Sequence, residues 1–152
     1  MADTITIRTA CSEDLHALAS LLEELFYIEE DFNIDRERQL TGLNLMLHNT
    51  QGRVLVAVAD GTVVGMCTGQ LLISTAEGGP AVMVEDVVVR RGWRNKGLGS
   101  RLMAAIAAWA QEHGATRLQL LADRNNTPAF AFYARLGWKQ TRLVCMRSML
   151  EQ

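Results

Sequence analysis

A run of cations and glycines, RRGWRNKGLGSRLM from Arg90 to Met103, follows an apolar segment, VMVEDVVV. Glycines at 97 and 99 remove the Cβ atoms that would hold an anion away from the main chain. Where a helix opens just behind such a loop, its free N–H groups and the positive end of its dipole favour phosphate oxygens, and Arg94 and Lys96 add charge. The alternative is a tight turn with solvated cations. Two known phosphate loops fail on residues. No GxxxxGK followed by Ser or Thr is present, and Leu102 stands where GxGxxG needs its third glycine. What remains is an Arg-x-x-Gly-x-Gly loop, Arg94 to Gly99, entering a helix that carries Ser100 and Arg101 in its first turn.

The elements that would position this loop follow from periodicity. TITIRTA, from Thr4, alternates like a half-buried strand, and Ser12 is suited to cap a helix in which Leu15, Leu18, Leu22 and Leu25 recur at helical spacing. FYIEEDFNID has no clean period and reads as a loop or a broken helix. Asp35 is placed to cap a second helix bearing Leu40, Leu43 and Leu47. Residues 53–59 and 62–73 form a hairpin across Asp60-Gly61. Residues 82–89 are a strand, a helix from Leu98 ends at Gly114, TRLQLLA is a strand, NTPAFAFYARLG is a helix ending at Gly137, and TRLVCMRSML is a last strand. Strand, long helix and strand in the middle make a crossover, so 82–89 and 117–122 should pair in parallel within a sheet that begins antiparallel. The order is β-α-α-β-β-β-α-β-α-β, a mixed α/β fold in one domain over 1–152.

Composition narrows the function classes. The 152 residues carry 15 basic and 17 acidic side chains, a net charge of −2, which argues against broad nucleic-acid binding. No apolar run approaches the roughly 18 residues of a membrane span. Cys11, Cys67 and Cys145 are far apart and odd in number, without Cys/His ligand spacing, so they read as reduced thiols of a cytoplasmic protein with no metal site. His16, His48 and His113 lack partner patterns and read as surface or cap residues.

VEDVVVRRGWRNKGLGSRLM resembles the acetyl-CoA signature of the GNAT superfamily of N-acetyltransferases, with Ser100 where the family has Ala or Gly. A second signature follows: Asn126, Ala129, Tyr133 and Gly137 match the family's NxxAxxxYxxxGF, with Trp138 in place of Phe. The resemblance covers nearly the whole chain. It implies that two central parallel strands splay apart and that the pantetheine arm of acetyl-CoA pairs with the backbone at Val87, Val88 and Val89. It also implies that amides of Arg94, Asn95, Lys96, Gly97, Leu98, Gly99 and Ser100 hold the pyrophosphate. Tyr133 falls at the family's general acid. Asn126 is either a cofactor contact from the loop or a helix N-cap.

Aminolysis of a thioester requires that an amine with a free pKa of about 10 lose a proton, that an oxyanion meet a donor, and that the leaving thiolate gain a proton. Glu85 is the candidate base. In a regular strand residues 85, 87 and 89 share one face, which would align Glu85 with the cofactor-pairing residues and turn Asp86 the other way. General base through water, substrate orientation and a structural ion pair remain open for Glu85. Phe26, Tyr27, Glu29 and Glu30, with Asp31, Phe32 and Asp35 close by, suit a cationic acceptor such as a polyamine, an amino sugar or a lysine side chain. The competing class is a catalytically silent CoA-binding module, against which Tyr133 and Glu85 both argue. Family members are often homodimers, and a homodimer is expected here.

Overall fold

The computed structural model describes residues 4–28 and 34–151. The chain divides into two compact units, Met1–Leu120 and Leu121–Gln152.

In the first unit, β1 (Ile5–Thr9), α1 (Leu15–Ile28), α2 (Arg36–Leu47), β2 (Gly52–Ala59), β3 (Thr62–Ser74), β4 (Gly79–Val89), α3 (Leu98–Glu112) and β5 (Leu118–Gln119) follow the expected order. They build a mixed five-stranded sheet in the order β1-β2-β3-β4-β5, antiparallel except for the parallel β4–β5 pair. One face of the sheet packs on α1 and α2 through Leu18, Leu21, Leu22, Leu25 and Leu43 against Val54, Val56, Met66 and Val88. The other face packs on α3. A Cβ at Gly69 would stand 2.9 Å from Ile106 Cδ1 and 3.1 Å from Val82 Cγ1, so a missing side chain sets how closely α3 approaches the sheet. With helices on both sides, β3 is buried from Val63 to Gly69, which is why its sequence does not alternate.

Local chemistry sets the ends of these elements. The cap of the first helical segment is Cys11, not Ser12 as the sequence suggested. A 3-10 turn, Ser12–Asp14, precedes α1, and Asp14 reaches back to accept from the Cys11 N–H at 2.8 Å. The Arg8 guanidinium donates to both Asp14 oxygens, at 2.7 and 3.0 Å, and holds that carboxyl down at about 2. Asp35 caps α2, accepting from Arg38 N at 3.2 Å. α3 ends in a Schellman motif, where Ala115 N donates to Ala110 O and Gly114 N to Gln111 O around Gly114 at φ +80°.

The second unit contains α4 (Thr127–Arg135). Asn126 caps it, its Oδ1 accepting from Ala129 N at 3.2 Å, and a proline lies in the first turn. A second Schellman motif closes it: Trp138 N donates to Tyr133 O and Gly137 N to Ala134 O. The strand expected over 141–150 does not appear among the described residues. That stretch makes no ladder among the described residues, and Leu143, Val144, Met146, Met149 and Leu150 are exposed. Alternation alone does not make a strand, because its N–H and C=O groups need a neighbour to bond.

Candidate active site

The parallel strands β4 and β5 meet only at Val82–Leu118 and Met83–Gln119, shorter than the expected pairing of 82–89 with 117–122. Beyond Met83, the edge of β4 turned away from β3 has no strand beside it among the described residues, which is the splaying that the family resemblance implied. The ladder identifies the groups on that edge. Arg90 N donates to Val64 O of β3, so by the antiparallel alternation the main-chain groups of Val89 and Val87 face the opening and those of Val88 face β3. The Val89 carbonyl accepts there from Arg94 Nε at 2.9 Å.

The loop from Arg90 to Gly97 is shaped by three left-handed residues, Gly92 at φ +93°, Asn95 at φ +62° and Gly97 at φ +79°. Gly97 is the N-cap of α3 and offers no side chain to it; the first helical bond runs from Arg101 N to Gly97 O. The amides of Leu98, Gly99 and Ser100 thus lie in an uncapped first turn. A Cβ on Gly97 would meet no protein atom within 4 Å, so the residue is required by its φ and not by protein packing.

The cations of the loop are partly committed. Arg94 also donates to Glu24 Oε1 of α1 at 3.2 Å, and the Arg91 amide donates to the same oxygen at 2.6 Å. Lys96 Nζ lies 4.7 Å from the Trp93 ring centroid. Glu24 therefore ties α1 to the glycine loop, a role that nothing in LLEELF separates from the neighbouring Glu23, which pairs with Arg36 instead.

Glu85 does not share a face with Val87 and Val89. A bulge places Asp86 and Val87 opposite the single residue Cys67, because β3 advances from Met66 to Thr68 while β4 retreats from Val88 to Glu85. Asp86 takes the bulge position at φ +52°, which a short polar side chain tolerates better than most. Gly65, the partner of Val89, abuts Leu102 of α3, whereas Thr68, the partner of Glu85, lies on the Met66 face towards α1 and α2. The one extra residue reverses the alternation. Glu85 is exposed, while Asp86 is half-buried beside it, on the same side, where Thr68 Oγ1 donates to its Oδ2 at 3.3 Å. Burial first, then the Glu85 charge, pushes the Asp86 carboxyl up to about 6 against the pull of that hydrogen bond. Cys67, fully buried behind it, is pushed up to about 12. Sequence reasoning turned Asp86 to the face opposite Glu85, whereas the bulge and the Thr68 bond keep it beside Glu85. The only available signal was that Asp is among the residues that accept a left-handed backbone.

In the second unit Tyr133 lies between Phe132 and Trp138, with ring centroids 5.1 and 5.6 Å away. The Schellman closure places Trp138 against the Tyr133 ring and so fixes its direction. Asn126 performs the capping role that its type allowed. Of the expected acceptor residues, Phe26 is half-buried, Tyr27 is 84 % exposed at the end of α1, and Glu29 and Glu30 lie outside the described residues. A cleft of about 370 Å³ lies elsewhere, between residues 46–49 and the β1–β2 end, and contains none of the expected site residues.

Comparison with known proteins places this arrangement. An aminoglycoside N(6')-acetyltransferase type 1 from Stenotrophomonas maltophilia is 30 % identical over 99 % of this chain and 97 % of its own length. An aminoalkylphosphonate N-acetyltransferase of Salmonella typhimurium is 28 % identical over 89 % of this chain and 85 % of its own. Among solved structures, a possible acetyltransferase of Clostridium difficile superimposes with a TM-score of 0.85 at 21 % identity, over 97 % of this chain and 99 % of that one. An aminoglycoside N-acetyltransferase in complex with CoA has the same TM-score at 20 % identity, over 98 % and 97 %. The sequence model described as the Acetyltransferase (GNAT) family matches residues 15–138. The chain belongs to the GNAT family and is an acyltransferase that uses acetyl-CoA.

Proposed function

We propose that this protein transfers the acetyl group of acetyl-CoA to a primary amine of a small cationic acceptor, an amino sugar of the aminoglycoside kind ahead of a polyamine or a lysine side chain. One observation carries the reading: the edge of β4 that no strand covers among the described residues leads, through the loop from Arg90 to Gly97, into an α3 N-terminus that no side chain caps. Acetyl-CoA, when bound, supplies an activated acetyl thioester. The main-chain groups of Val87 and Val89 pair with its pantetheine arm as an added strand would, with Val88 holding that edge to β3. The amides from Arg94 through Asn95, Lys96, Gly97, Leu98 and Gly99 to Ser100 hold the pyrophosphate. Arg94 contributes mainly by fixing the loop, since its guanidinium is bonded to Val89 O and Glu24. Asn126 meets the cofactor from the start of α4, and Tyr133 gives a proton to the departing sulfur. Glu85, exposed at the mouth of the β4 bulge, receives the acceptor's charge.

The choice of acceptor rests on the aminoglycoside relative matched over nearly its full length and on the acidic, aromatic segment from Phe26 to Asp35. Tyr27 offers an exposed ring to a cation, with Glu29 and Glu30 adjacent in sequence. We further propose that 1–152 acts as one domain and that the protein is a homodimer, since the exposed apolar side chains of 143–150 are what a second copy would cover. The three free thiols suit a reducing cytoplasm. Thiol release from acetyl-CoA in the presence of sisomicin, spermidine or a lysine peptide tests the reading. The sisomicin reaction is expected to be fastest, and the absence of release with every amine would reduce the protein to a CoA-binding module.

A further inference from the structure

A carboxylate bonded into a cationic, phosphate-binding loop carries the wrong charge for the ligand. We propose that Glu24 of α1 is a positioning residue for the cofactor, holding the glycine loop in the shape that receives acetyl-CoA, a role that rests on the reading of the loop amides as the pyrophosphate holder and deepens it.

The loop and the first turn of α3 carry five cations, Arg90, Arg91, Arg94, Lys96 and Arg101. Among the described residues Glu24 is the only carboxylate bonded to this stretch. Coulomb forces alone put no acid there, since a negative charge beside a phosphate site repels the ligand. The geometry supplies another reason. One oxygen, Glu24 Oε1, accepts from the Arg91 amide at 2.6 Å and from Arg94 Nη2 at 3.2 Å. Each of these residues stands directly before a left-handed one, Arg91 before Gly92 at φ +93° and Arg94 before Asn95 at φ +62°. Glu24 thus fixes the two points at which the loop changes hand. A left-handed non-glycine residue such as Asn95 persists only where its surroundings impose that conformation. Arg94 Nε reaches on to Val89 O at 2.9 Å, so one guanidinium joins α1 to the open edge of β4.

Glu23, the neighbouring residue, shows what an ordinary ion pair looks like on the same helix. It pairs with Arg36 of α2 at 3.0 Å, and its side chain is 38 % exposed against 29 % for Glu24. Such a pair contributes little by itself. Glu24 differs in taking a charge-assisted bond from a backbone amide of the loop, which orders the chain that the ligand must meet.

The test uses the full chain with CoA as the probe. Glu24→Gln keeps the length of the side chain and a neutral acceptor but loses the charge. Calorimetric titration is expected to show CoA bound about tenfold more weakly by Glu24→Gln, more weakly still by Glu24→Ala, and within about twofold of the parent by Glu23→Gln. Relief of repulsion predicts the opposite sign, so unchanged or tighter binding in Glu24→Gln overturns the proposal. With acetyl-CoA and sisomicin, the acetyl-CoA KM of Glu24→Gln should rise while kcat stays within about threefold. A rise confined to the sisomicin KM would put Glu24 at the acceptor and overturns it too. Amide hydrogen exchange of the ligand-free protein reads the positioning itself. Amides of residues 91–100 should exchange faster in Glu24→Gln and not in Glu23→Gln; weaker CoA binding without faster exchange overturns the proposal. Gly97→Ala disturbs no bond of Glu24, so parent-like CoA affinity in that variant would fail the pyrophosphate reading by itself, while Glu24→Gln still decides the role of Glu24. If no amine is acetylated, the titration and exchange measurements decide alone.

Discussion

Gly97→Ala separates what the glycine loop does for the fold from what it does for the cofactor. Gly97 sits at φ +79° with no protein atom within 4 Å of where an added methyl group would stand, and Gly61, in the β2–β3 turn, has φ +83° and equally open surroundings. An alanine forced into this region costs about 1–2 kcal/mol. Part of that is offset, by about 0.4–1 kcal/mol, because alanine also restricts the unfolded chain. Both variants should therefore lose about 1 kcal/mol, or about 2–4 °C in Tm for a chain of this length. They should part company on binding. A methyl group at residue 97 stands where the pyrophosphate must approach the α3 amides, and loss of one hydrogen bond to a charged group is worth about 1.5–3 kcal/mol. That is about ten- to a hundredfold in Kd. Thermal unfolding of the ligand-free variants and calorimetric titration with CoA measure the two effects separately. Equal CoA affinity in Gly97→Ala and Gly61→Ala would refute the backbone account of the loop.

Other consequences follow from the same structure. Asp14→Asn should destabilise the protein by about 1–2 kcal/mol near neutral pH, allowing for solvent screening at the half-exposed Arg8. The Asp14 carboxyl is lowered from 3.8 to about 2, so that stability is present above 3.8 and disappears as pH falls through about 2; urea titrations across the acid range check it. Asp86 has the opposite sign. Raised from 3.8 to about 6, it contributes stability that is complete below 3.8 and lost as pH rises through about 6, so from about pH 4 to about pH 8 the balance should move in favour of Asp86→Asn by up to about 3 kcal/mol. A balance that stays flat would count against the burial of this group. Gly69→Ala crowds Ile106 and Val82 and should cost about 1–3 kcal/mol by denaturant unfolding, with CoA affinity unchanged. Tyr133→Phe keeps the ring between Phe132 and Trp138, so stability should hold while turnover drops about a hundredfold; a rate within about threefold of the parent would exclude the general-acid role.

Much of this was legible in the residues because it depends on local rules. Helical leucine spacing gave α1 and α2, Asp60-Gly61 gave the hairpin, and Gly114 and Gly137 closed their helices as αL residues do. The glycine loop declared itself by residue type, and its uncapped junction with α3 agrees with that reading. What escaped was pairwise. The reversal of faces at Glu85 comes from a single left-handed residue set by the register of β3 against β4, and no periodicity in VMVEDVVV records it. Cys11 displaced Ser12 as the cap because Arg8 anchors Asp14 from another element. Residues 141–150 carry the composition of a strand, but pairing depends on a neighbour that composition does not specify.

The most direct test of the central claim is the rate of thiol release when the protein is mixed with acetyl-CoA and sisomicin, with the product weighed by mass spectrometry. The account predicts amine-dependent release, one acetyl group gained by the aminoglycoside for each thiol formed, and inhibition by CoA that Gly97→Ala weakens. Tight CoA binding, with no thiol released by sisomicin or any other amine, would contradict it.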